Sequence, residues 1–134
     1  ANIDEYTRHT ETKLQRIIFA CDEIAEVLDK TGLTKQQKDE ILKIESELSL
    51  IARQGRAFGI HLVLATQRPD AGILNGQIRN NIDTRICGRA DNVLSQIILD
   101  NTDASDKIAK SSQGRFLTNS GKIFQAYWFD ENIL

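Results

Sequence analysis

Residues 17–21 read Ile-Ile-Phe-Ala-Cys, an unbroken apolar run closed at once by Asp22 and Glu23. Residues 60–66 repeat the arrangement, with Gln67, Arg68, Pro69 and Asp70 following the apolar stretch. Runs of this length without polar alternation suit strands covered on both faces, as in a parallel sheet. Polar residues at the carboxyl ends of such strands fall at the edge where open α/β sheets bind ligands. Between the runs lies helical sequence. A short helix is predicted over 24–30 and ends at Gly32, and Thr34 with Gln37 three residues on supplies a capping box. Ile41, Ile44, Leu48, Ile51 and Ala52 then recur every three or four residues, one apolar stripe on a helix running to about Phe58 and stopped by Gly59.

The alternation continues with a short helix over 75–80, a strand over 84–88 and a helix opened by Asp91 that carries Val93, Leu94, Ile97 and Ile98. The expected fold class is therefore α/β, a mostly parallel sheet with flanking helices. The last segment departs from it: residues 114–118 and 122–129 flank Asn119-Ser120-Gly121 and predict a terminal β-hairpin. With 134 residues and neither repeat nor low-complexity linker, residues 1–134 read as one domain or part of a larger one. Ala1 is set aside as a cloning remnant.

Composition excludes several classes of function. Seventeen basic against nineteen acidic residues give 17 − 19 = −2, so bulk charge does not suit a coat for nucleic acid, although a local basic loop is allowed. No window approaches the roughly 18 apolar residues of a membrane span, and no charged leader opens the chain, so a soluble, cytoplasmic piece is expected. Cys21 and Cys87 have no Cys or His at metal-ligand spacing and read as buried thiols in a reducing compartment. His9 and His61 fit no nucleophile or zinc pattern, and His61, inside an apolar run, reads as structural.

An apolar strand ending in Asp-Glu has the form of a Walker B site. Its Asp orients the water shell of Mg²⁺ and its Glu polarises the attacking water. Two acids after an apolar run are also common as a plain strand end, and the pair alone does not choose between these readings. The second strand end adds weight, because Ala-Thr-Gln-Arg-Pro brings an amide and a guanidinium to the same edge. A Gln there can hold the attacking water or sense a γ-phosphate.

Taken in order, RIIFACDEIAEVLD, LIARQGRAFGIHLVLATQRPD, ILNGQIRNNIDTRI, ILDN and GRFLTNSGKIFQAYWFDEN resemble the carboxyl-terminal half of the motor domain of FtsK/SpoIIIE DNA translocases. The resemblance covers about residues 14–131, and RAFGIHLVLATQRP is its most specific part. Within the family the chain looks closest to the coupling proteins of conjugative elements. The resemblance implies a partial RecA-like P-loop NTPase motor, a homo-hexameric ring that moves double-stranded DNA using ATP and Mg²⁺, with any membrane anchor outside this fragment. It makes Asp22 the magnesium-shell residue, Glu23 the catalytic base and Gln67 the sensor. Arg56 matches the position of an arginine finger that reaches the neighbouring subunit's nucleotide; the bland alternative is a cation at a helix end. Arg79, after the turn at Gly76, fits a pore-side DNA contact, with Arg89 less securely placed. Arg85, inside a strand, reads as structural.

One family element has no counterpart here. The only Gly-Lys pair, Gly121-Lys122, has Phe116 where a P-loop needs its first Gly and Ile123 where it needs Ser or Thr. The phosphate cradle is therefore expected upstream of Ala1, leaving half a nucleotide site in this chain, which alone should be inactive. The family's D-S-R triplet is also altered, to Leu94-Ser95-Gln96-Ile97 before Ile98-Leu99-Asp100, so no arginine role carries over there. Two other functions fit the same resemblance: a type VII secretion-like ATPase that exports protein, and a non-hydrolysing scaffold. Retention of Glu23 and Gln67 argues against the scaffold.

Overall fold

The computed structural model describes residues 2–67 and 76–127. The chain divides into two compact units, Ala1–Ile82 and Asp83–Leu134.

In the first unit, β1 (Ile17–Cys21) and β2 (Ile60–Leu64) pair in parallel, Ile17 opposite Ile60 and Cys21 opposite Leu64. Three helices lead from one strand to the other or flank them: α1 (Ile3–Thr10), α2 (Ile24–Leu28) and α3 (Lys35–Gln54). A short α4 (Gly76–Asn80) follows β2. Thr34 caps α3 as the sequence requires, its side chain accepting from the Gln37 amide while Gln37 reaches back to the Thr34 amide. The apolar stripe of α3 then packs inward: Leu48, with Ile41 at its edge, joins Ile24, Leu28, Ile78 and the strand residues Cys21, Leu62 and Leu64 in one core.

Parallel register puts Ile18, Ala20, His61 and Val63 on the opposite face of the pair. That face is open, with Ile18 69% and Val63 55% exposed. Burial on both faces, expected from the unbroken apolar runs, is not realised among the described residues: on the other face Ile17 and Phe19 are exposed as well, and the core is met only by Cys21, Leu62 and Leu64. Helix α3 also ends four residues earlier than its periodicity suggests. A 3₁₀ turn, Gly55–Phe58, replaces its last turn and lets the chain double back into β2. Gly55 permits this because a Cβ there would lie 2.9 Å from the Ile60 carbonyl oxygen, and Gly59 closes the turn at φ +75°, in the left-handed region. Helix α1 has no sequence expectation behind it. Asn2 and Glu5 form its capping box, and its one buried side chain, Ile3, lies over Gly59.

The second unit holds β3 (Ile86–Cys87), α5 (Asn92–Leu99), α6 (Asp103–Lys107), β4 (Arg115–Thr118) and β5 (Ile123–Gln125). Its sheet runs β3-β4-β5 and both pairings are antiparallel. The strand expected at 84–88 therefore pairs with the terminal hairpin, and the reason is local. Asn119 in the hairpin turn donates its amide to the Arg85 carbonyl at 2.9 Å, accepts from the Arg85 amide at 3.1 Å and donates Nδ2 to the Asp83 carbonyl at 3.1 Å. These bonds clamp the start of β3 to the turn. The hairpin forms around Asn119-Ser120-Gly121, with Gly121 at φ +83°; residues 128–129, expected in its second arm, lie outside the described residues.

Asp91 caps α5, accepting from the Leu94 amide at 2.8 Å. Buried Ser95 then ties α5 to α6, donating to the Asn101 carbonyl at 2.7 Å and accepting from the Ala104 amide at 3.1 Å. Cys87, Leu99, Ala104, Ile108 and Leu117 form the second core. Burial pushes the Cys87 thiol above its ordinary value, consistent with an inert packing role. Among the described residues, no helix is long and apolar enough to cross a membrane.

Candidate functional site

The carboxyl ends of β1 and β2 are held together beyond the strands themselves. The Ala65 amide donates to the Cys21 carbonyl at 2.8 Å, and the Ile24 amide donates to the Ala65 carbonyl at 2.9 Å. Asp22 and Glu23 therefore emerge beside Thr66 and Gln67 at one sheet edge.

Glu23 is the N-cap residue of α2, yet its side chain makes no capping hydrogen bond. It turns instead across the edge to β2. Thr66 donates its hydroxyl to Oε1, and the Gln67 main-chain amide donates to Oε2 at 2.8 Å. Sequence reasoning brought Glu23 and Gln67 together through the Gln side chain; in the structure the main chain makes the contact and the side chain is exposed. Thr66 was not singled out by the sequence. Its only signal is a hydroxyl two residues past the last residue of an apolar strand.

Asp22 is exposed and makes no hydrogen bond or ion pair among the described residues. Mg²⁺ is a hard cation that keeps several waters and is held by one or two carboxylates together with substrate phosphates. A solvated carboxylate at this edge fits that role through water. No group of three or more His, Cys, Asp or Glu that could hold a metal ion occurs among the described residues.

Arg56 is exposed on the 3₁₀ turn that precedes β2. The strands are parallel, so this is the amino edge of the sheet, one five-residue strand of about 13 Å away from the edge that carries Glu23. Arg56 and Glu23 thus belong to opposite edges of one sheet. Arg79 is half-buried on α4, and its Nε is buried without a hydrogen-bond partner among the described residues. Arg68 lies outside the described residues.

In the second unit, Arg89 has a structural task. Its Nη1 donates to the carbonyls of Ser105 and Ile108, the latter at 2.7 Å, at the end of α6. Arg85 lies just before β3, which is confined to Ile86–Cys87 and not 84–88, and pairs with Asp100 at 2.7 Å. Gly121-Lys122 sits in the β4–β5 turn, where the Lys122 amide donates to the Thr118 hydroxyl at 3.1 Å, so this pair opens no helix and cradles no phosphate. A groove between α3 and α4, bordered by Leu42, Glu45, Ser46, Gln77, Asn80 and Asn81, contains none of the residues at the strand ends.

Parallel strands with an acid pair closing one and a polar Thr-Gln step closing the next have the arrangement of strand ends in a P-loop ATPase motor domain, the class that the comparisons support. No protein-family model matches the chain. The DNA translocase FtsK of Haemophilus ducreyi is 32% identical over 126 residues, 91% of this chain and 12% of that protein. DNA translocase FtsK 2 of Ralstonia nicotianae is 38% identical over 89 residues, 66% of this chain and 10% of that protein. Among solved structures, the pCW3 conjugation coupling protein TcpA, determined as a monomer with ATPgS, superposes with a TM-score of 0.88 at 43% identity, over 98% of this chain and 38% of that one. The cytoplasmic domain of the Thermomonospora curvata type VII secretion ATPase EccC shares the fold, with a TM-score of 0.64 at 22% identity over 92% of this chain and 14% of that one. The chain belongs to the FtsK/SpoIIIE family, and it spans about a tenth of the length of these curated relatives.

Proposed function

We propose that the chain is a segment of an ATP-driven translocase of double-stranded DNA, of the kind that serves conjugative transfer. The observation that carries this reading is the 43% identity to a conjugation coupling protein over 98% of the chain. The likeness to the secretion ATPase, at 22% identity, extends to the fold alone and gives protein export no separate support.

Within the motor, Glu23 takes the proton of the attacking water, a task worth typically 10²–10⁴-fold in rate. The exposed amide of Gln67 orients that water from the neighbouring strand end. Asp22 would hold Mg²⁺ through its water shell, and the ion when bound would supply positive charge against that developing on the phosphates. The phosphate loop comes from a segment outside these 134 residues. Arg56, at the opposite sheet edge, acts on the nucleotide of a neighbouring subunit in a homo-hexameric ring, where an arginine finger stabilises charge on the transferring phosphoryl group. Arg79 is the proposed DNA contact. Arg89, the second proposed DNA-binding cation, also fixes the end of α6 through the two carbonyls its Nη1 serves.

The test uses the full-length protein. Double-stranded DNA should stimulate its Mg-ATP hydrolysis, and the moving protein should strip a triplex-forming oligonucleotide from a duplex. Hydrolysis indifferent to DNA but stimulated by a polypeptide substrate would transfer the motor to export.

A further inference from the structure

We propose that Thr66 is a positioning residue for hydrolysis, fixing the plane of the Glu23 carboxylate so that it faces the attacking water. The inference rests on the reading of Glu23 as the base.

Glu23 stands at the start of α2, where an acid ordinarily accepts from first-turn amides. It forgoes that bond. Its carboxylate receives the Thr66 hydroxyl on Oε1 and the Gln67 amide on Oε2. One donor would leave the group free to swing about its terminal torsion, which is broad for Glu. Two donors from consecutive residues of another strand end fix both position and plane. Bonds to an ionised acceptor are also the stronger kind.

The two tethers are not equivalent. Gln67 contributes through the main chain, so its contact survives any side-chain change except Pro. Thr66 contributes through a hydroxyl, so of these two tethers it is the one written in the side chain. A β-branched residue is stiff at χ1, which aims the hydroxyl by means of the backbone itself. Misplacing a reacting group by about 1 Å can lower a rate about 100-fold.

The experiment compares Thr66→Val with Thr66→Ser in the full-length protein. Val keeps the branched shape and removes the donor; Ser keeps the donor. Thr66→Val should lower kcat for Mg-ATP about 10- to 100-fold with KM little changed, because the loss falls on the transition state. Thr66→Ser should recover most of the rate. In a Glu23→Ala background, Thr66→Val should add no further loss, since it acts through the missing carboxylate. Thermal melts of each variant separate lost folding from lost turnover. An unchanged kcat in Thr66→Val, a Ser variant as slow as Val, or a full additional loss in the Glu23→Ala background would each overturn the assignment while leaving the motor reading intact. A wild-type protein that does not hydrolyse Mg-ATP would overturn the motor reading and this assignment with it.

Discussion

Gln67 holds Glu23 through its main chain, the amide donating to Oε2 at 2.8 Å while the side chain remains exposed. One residue therefore has two separable contributions. Replacing the side chain leaves the tether in place and removes only what the amide does to water. In the full-length protein, Gln67→Ala should reduce kcat and leave Mg-ATP affinity near wild type. Glu23→Gln should reduce kcat further, by at least about 10²-fold, because the isosteric amide keeps the shape and loses the base. Steady-state hydrolysis paired with equilibrium nucleotide binding checks both. A Gln67→Ala protein as inactive as Glu23→Gln would mean that the main-chain tether does not survive the substitution.

The 134-residue chain alone should bind no Mg-ATP. Phosphate binding by a P-loop depends on consecutive backbone amides and a Lys at a helix start, whereas Lys122 occupies a hairpin turn. Calorimetric titration of the isolated chain should give no saturable heat. Micromolar binding would place a nucleotide site elsewhere in these residues.

The pairing of the strand ends was legible in the sequence because it follows from composition alone. Unbroken apolar runs at 17–21 and 60–64, joined by a capped amphipathic helix, leave few arrangements other than parallel neighbours with polar residues at a shared edge. The partner of β3 was not legible. Its antiparallel pairing depends on Asn119, 34 residues from Arg85, and no local pattern encodes a bond over that separation. The two carbonyls that Arg89 serves were not legible for a related reason: in sequence a cation looks the same whether or not it is fastened to the main chain. Thr66 was missed because a lone hydroxyl carries no periodicity. Its meaning appears only when the β1 and β2 ends are aligned.

Lys30 and Glu45 form a partly buried ion pair, Nζ to Oε1 at 2.6 Å, with the Glu45 side chain only 7% exposed. Lys30→Met should destabilise the chain by about 2–3 kcal/mol, since it strands a buried carboxylate; Lys30 is itself partly exposed, which keeps the loss below that of a fully buried pair. The double variant Lys30→Met/Glu45→Leu should regain most of that loss. Urea unfolding with an unchanged m-value is the measure. Equal stability of Lys30→Met and wild type would show that solvent reaches Glu45 well enough to replace its partner.

Arg56 and Glu23 lie at opposite edges of one parallel pair, so a finger at Arg56 cannot serve the Glu23 of its own subunit. It must act across a subunit boundary. Arg56→Ala subunits then carry an intact acid and lack a finger to lend, while Glu23→Gln subunits carry an intact finger and lack a base. Each homogeneous ring should be inactive, the first by about 10³-fold or more. In mixed rings, some boundaries place the Arg56 of a Glu23→Gln subunit against the nucleotide of an Arg56→Ala subunit, and those sites are complete. Hydrolysis should therefore return on mixing, to a fraction of the wild-type rate set by how often the two neighbours meet in the productive order. The rate should peak at intermediate mixing ratios and vanish at both ends. If both proteins assemble and no ratio restores turnover, Arg56 is no finger, and its role contracts to the 3₁₀ turn that carries α3 into β2.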